Sequence, residues 1–80
     1  MKFVYPVILS KGDKYILASI PDCQIDTQGE SNYHAIEMAR DAISLWSLSE
    51  LDAGRDLPKP SSLSDIETEE GDILTLLHYI

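Results

Sequence analysis

The sequence predicts an α+β domain of element order β-β-β-α-β, with a sheet of order 3-2-1-4 and one long helix packed on one face. Three observations predict it. Residues 31–51, SNYHAIEMARDAISLWSLSEL, carry apolar side chains at the period of an amphipathic helix. The residues before it hold short β-branched and aromatic runs separated by turn-forming residues. The last eight, ILTLLHYI, form a nearly continuous apolar run after a connection dense in Pro, Ser, Gly and acid.

In chain order, Phe3, Tyr5, Val7 and Leu9 alternate with Val4, Pro6 and Ile8, so residues 2–10 are expected to be a strand. Pro6 donates no ladder hydrogen bond and marks an edge or an irregularity there. Lys11-Gly12-Asp13 is a turn, and Tyr15 to Ile20 the second arm of a hairpin. Pro21-Asp22 stops that arm. Gln24 to Gln28 forms a short third strand, and Gly29 releases the chain into the helix.

Ser31 is placed to cap the first turn of the helix, and Gly54 suits a left-handed stop just past its end. Ala35, Ile36, Ala39, Ala42, Ile43 and Trp46 share the core face; Glu37, Arg40, Asp41 and Ser44 lie opposite. The connection AGRDLPKPSSLSDIETEEGD is expected to be exposed, extended at Pro58 and Pro60, with one helical turn near Ser62 to Ile66. Ile73 to Ile80 is the last strand. A strand reached through a helical crossover usually pairs in parallel, which sets it beside and parallel to the first.

Eighty residues make one domain, and a chain this short buries only about 60% of the surface its unfolded form exposes. Binding a partner or a second copy would add to so thin a margin. Fourteen acidic against six basic residues give a net charge of −8 and a pI near 4.4. That surface repels phosphate backbones and favours a basic protein partner. One cysteine, Cys23, can form no internal disulfide. The N-terminal apolar run is too short and too β-branched for a signal peptide, and no run is long enough to span a bilayer, so a cytoplasmic protein is expected.

Chemistry finds little to stand on. His34, His78 and Cys23 are scattered over the helix, a strand and a loop, at no metal-ligand spacing. His34 reads as a solvated histidine, His78 as a strand residue, and Cys23 as a half-buried thiol with no activating base. No nucleophile elbow or phosphate-cradling glycine loop is present, so neither catalysis nor a cofactor is expected. The β-β-β-α-β order matches the start of the ribonuclease H fold, whose two-metal chemistry needs a carboxylate in the opening strand. Here that strand, KFVYPVILS, holds no acid.

The acids fall into groups at Asp22, Asp26 and Glu30 before the helix, at Glu37, Asp41 and Glu50 along it, and at Asp65, Glu67, Glu69, Glu70 and Asp72 in the connection. The last group reads as a solvated face. On the helix, His34, Met38, Asp41, Leu45 and Leu48 form a stripe beside the core face that mixes apolar and acidic side chains. Either Met38 and Leu45 rim the core or the stripe docks a protein.

Nearly the whole chain resembles the N-terminal domain of HicB-type antitoxins, from HicA–HicB toxin–antitoxin systems. The resemblance runs through MKFVYPVILSKGDKYILASIPD, with its Tyr-Pro pair, hairpin and Pro-Asp. It continues through TQGES, the helix HAIEMARDAISLWSLSEL, and AGRDLPKPSS, which matches a Gly-x-x-Leu-Pro-x-Pro-Ser signature. It implies a partial ribonuclease H-like fold and a non-catalytic antitoxin. The implied partner is a HicA-type toxin, a small basic mRNA-cleaving ribonuclease whose catalytic histidine or RNA surface the antitoxin masks. Self-association, and repression through a C-terminal DNA-binding domain, are implied as well.

The segment PDCQIDTQG departs from the family by being shorter and by lacking the Pro and Gly of its Leu-Pro-Gly-Cys loop, and the DNA-binding domain lies outside these 80 residues. Direct nucleic-acid binding is therefore not expected of this segment. The expected toxin-binding residues are Asp22, Asp26, Glu30, Met38, Asp41, Leu45 and Glu50, with Trp46 packing inward. A homodimer through the last strand or a sheet edge is expected too. The alternative is an acidic stand-alone adaptor for a different protein.

Overall fold

The computed structural model describes residues 3–79, with side chains at 4–77. Four strands, β1 (Phe3–Lys11), β2 (Ile16–Ile20), β3 (Ile25–Gly29) and β4 (Ile73–Tyr79), form one sheet of order β3-β2-β1-β4. One helix, α1 (Asn32–Asp52), packs on one face. The α+β class, the strand order and the single helix are those the sequence predicts. Lys2 and Ile80, expected in the first and last strands, lie outside the described residues, as does the side chain of His78.

The direction of the last strand is different. β4 pairs antiparallel with β1, from Phe3↔Tyr79 to Leu9↔Ile73, where a parallel strand was expected. The right-handed parallel rule holds when a helix alone carries the chain back to the start of the sheet. Here the connection from residue 53 to 72 makes a second traverse, so β4 enters the sheet at the far end of β1 and runs the other way.

Two long-range residue pairs set that path. The Tyr5 hydroxyl donates to the Pro58 carbonyl at 2.7 Å. The Asp22 carboxylate accepts from the Ser61 amide at 2.9 Å and from its hydroxyl at 2.5 Å. A 3₁₀ turn at Leu63–Asp65 falls within the predicted helical turn.

Register assigns the sheet's faces. Tyr5, Val7 and Leu9 of β1, Ala18 and Ile20 of β2, and Leu77 of β4 are buried with Ala35, Ala39 and Ile43 of α1. Ile16, Ile25, Ile36 and Trp46 pack against that core, Trp46 inward as expected. The opposite face carries Pro6, Ile8, Ser10, Leu17, Ser19, Leu74 and Leu76. Pro6 sits in a central strand without breaking the sheet, because the β1–β2 ladder begins only at Ile8.

The connections have local causes. A 3₁₀ turn at Pro21–Cys23 ends on Gln24, left-handed at φ 55°, so β3 starts one residue later than predicted. Gly29 is the last residue of β3, and a Cβ there would lie 2.3 Å from the Ala35 nitrogen; the helix start approaches too closely for any side chain. Ser31 caps α1 by accepting from the His34 amide at 3.1 Å. At the other end Gly54 is left-handed at φ 78°. Its amide donates to the Leu51 carbonyl and that of Arg55 to the Glu50 carbonyl, the paired bonds of a Schellman stop.

Candidate interaction surface

The outer side of α1 is where exposed apolar and acidic groups meet. Four helix residues one turn apart, Ala35, Ala39, Ile43 and Ser47, are fully buried, which turns Met38, Asp41, Leu45 and Leu48 to solvent. Leu45 is 72% exposed and Leu48 59%. Leu45 is therefore no rim of the core, and Met38, at 38%, sits at its margin. Tyr33 and Leu51, also exposed, extend the surface toward the two ends of the helix. The Tyr33 phenol is held above its ordinary range by its hydrogen bond to Glu37 and that residue's charge.

The seven residues predicted from sequence do not form one patch. Met38, Asp41 and Leu45 lie together on α1. Asp26 pairs with Ser19, which pairs with Ile8, so it stands exposed on the open face of the sheet, across the core from the helix. Glu30 is exposed at the N-terminal end of α1, where its backbone N–H donates to His34 Nδ1 at 3.0 Å. His34 is exposed, as expected of a solvated histidine, and its ring accepts this bond at the start of the helix as well.

Glu50, at the far end of the helix, forms an ion pair with Arg55. Asp22 is committed to Ser61 and holds the connection in place. Leu51 and Tyr33 were missed by sequence reasoning. Their signal was present: a helix with large apolar residues outside its core stripe has more than one face to cover.

A second acidic region lies elsewhere. Glu67, Glu69, Glu70, Gly71 and Asp72 of the connection face Ile8, Ser10, Lys11 and Ser19 across a hollow on the open side of the sheet. Glu67, Glu69 and Glu70 are exposed, in keeping with a solvated face.

Cys23 is buried rather than half-buried. Burial, helped by the neighbouring Asp22 charge, pushes its thiol up to about 11, so it carries no thiolate at neutral pH. Among the described residues no three His, Cys, Asp or Glu side chains are grouped to hold a metal ion, and no helix is long and apolar enough to cross a membrane.

No family model matches this sequence, and no curated protein matches it. Among solved structures, a chain of one described as a toxin–antitoxin complex from Streptococcus pneumoniae has the same fold, with a TM-score of 0.83 and 17% identity. The likeness covers 98% of this chain and 69% of that one.

Proposed function

We propose that this domain is an antitoxin of the HicB type that binds a small basic ribonuclease toxin of the HicA type through the outer side of α1. The observation that carries the reading is the row Met38, Asp41, Leu45 and Leu48, exposed apolar side chains around a carboxylate, on a domain of net charge −8. The apolar groups supply desolvated contact area, and the acidic field speeds encounter with a cationic site and competes with RNA phosphate for it. The fold shared with a chain of a toxin–antitoxin complex supports the same reading.

The domain acts by occupancy, in the cytoplasm, with no bond-breaking and no cofactor of its own. It self-associates, and operator DNA is contacted through a separate domain. The test is reconstitution with the product of a neighbouring short basic reading frame. The native domain is expected to form a stable complex and to stop RNA cleavage, and Leu45→Arg to lose both while keeping its melting temperature. Undiminished RNA cleavage with the native domain in excess defeats the reading.

A further inference from the structure

An antiparallel sheet with one side packed and the other in water alternates along each strand, apolar inward and polar outward. β3 keeps that rule, with Asp26 and Gln28 on the open face. The other three strands break it. To the open face β1 gives Pro6 and Ile8, β2 gives Leu17, and β4 gives Leu74 and Leu76, with Ser10 and Ser19 between them. Leu17 is 45% exposed and Leu76 43%, while Ile8 and Leu74 are half-buried. α1 packs on the other face and leaves them uncovered.

The charge around this apolar floor has one sign. Glu67, Glu69, Glu70 and Asp72 of the connection wall the hollow that opens onto Ile8, Ser10 and Ser19, and Asp26 stands beside Ser19. Against these acids, Lys11 is the single base among the described residues that line the hollow.

We infer that the open face is a second docking surface, and that its occupant is a cationic amphipathic helix of another protein. The apolar side of that helix rests on Ile8, Leu17, Leu74 and Leu76, and its bases meet the acids of the connection. A helix laid on a bare sheet face adds a third layer to the two already packed. Charge selects among occupants. Nucleic acid and an anionic lipid surface are repelled by this rim, and a second copy would bring the same acids against their like. The surface lies across the core from Met38, Asp41 and Leu45, so it stays free when the outer side of α1 is engaged. The domain then holds two basic polypeptides at once, and the inference does not depend on what docks at α1.

Titration of the full chain with a designed peptide tests this. The probe is a helix of about 18 residues, leucine on one side and lysine on the other, with a control in which glutamate replaces lysine. NMR signals of Ile8, Leu17, Leu74 and Leu76 are expected to shift on adding the lysine peptide, those of Met38, Leu45 and Leu48 to stay, and the glutamate peptide not to bind. Leu17→Thr with Leu76→Thr should raise Kd about tenfold, as should Glu67→Gln with Glu69→Gln and Glu70→Gln, and both variants should keep their melting temperature because the side chains are exposed. Leu45→Arg, expected to lose the toxin, should hold the peptide nearly as tightly as the native domain. Shifts centred on α1 or confined to the outer strands β3 and β4 overturn the inference, as does equal binding of the glutamate peptide or unchanged affinity in the Leu17→Thr, Leu76→Thr variant. A lower sedimentation coefficient of that variant without peptide gives the face to a second copy and overturns it too. None of these results touches the toxin reading, which stands or falls on the native domain's complex with the toxin.

Discussion

Asp22 and Ser61, far apart in sequence, are joined by two hydrogen bonds to one carboxylate, from the Ser61 amide and its hydroxyl. One residue sits in the turn before β3 and the other in the connection that leads to β4. The pair therefore decides where the chain crosses after the helix.

Hydrogen bonds to a charged acceptor contribute about 1.5–3 kcal/mol each when partly shielded from water. Asp22→Ala, which removes both, is expected to destabilise the domain by about 3 kcal/mol or more in urea unfolding, and Ser61→Ala by about 1.5 kcal/mol because its amide still donates. In a double-mutant cycle the two losses should couple rather than add. Additive losses would mean the carboxylate and hydroxyl do not act together.

The close approach at Gly29 gives a second expectation. A Cβ there would meet backbone atoms of the helix start, which cannot rotate away, so Gly29→Ala should cost about 3 kcal/mol or more and shift α1 off β3. Gly54 has open space around it but a left-handed backbone. Gly54→Ala should therefore cost only about 1–2 kcal/mol. Thermal unfolding of the two variants checks the order, and a milder effect at position 29 than at position 54 would contradict the packing described.

The Cys23 thiol has a pH signature. Its value is raised to about 11 in the folded state, so the unfolded chain ionises first. The stability this contributes is whole below the ordinary thiol range and is lost as pH rises through that range toward 11. Labelling by an aromatic disulfide at pH 8 should be slow in the native protein and fast after urea unfolding. Asp22→Asn removes the neighbouring charge and should move the ionisation back down part of the way.

How much of this was legible in the sequence depends on the range of the forces involved. α1 was readable almost to the residue because Ser31, the Ala35–Ala39–Ile43 stripe and Gly54 act within a few positions of one another. The orientation of β4 was not, since it follows from Tyr5 reaching Pro58 and Asp22 reaching Ser61, contacts between segments that no local pattern links. The candidate site divides in the same way. Met38, Asp41 and Leu45 were placed together by helical periodicity, whereas the side of the sheet on which Asp26 falls is fixed by its pairing with Ser19. Ser47, polar by type yet fully buried, is accommodated by donating to the Ser44 carbonyl at 3.0 Å, a bond that sequence alone does not announce.

That division yields the sharpest prediction about the proposed toxin partner. Asp26 and Asp41 are both exposed carboxylates, yet they stand on opposite sides of the core. If α1 is the docking element, Asp41→Lys places a cation inside the contact and should slow association about tenfold with a marked change in salt dependence. Asp26→Lys changes the net charge equally but acts only through the screened long-range field, so its effect should be small at physiological salt. Leu45→Ala removes an exposed apolar side chain, so it should leave the melting temperature unchanged while raising the dissociation rate about tenfold if Leu45 is an anchor of the interface. Surface-plasmon measurements with immobilised toxin separate the two rates. Equal slowing by the two reversals would mean the toxin senses only total charge, and a larger effect at Asp26 would move the docking surface to the open face of the sheet.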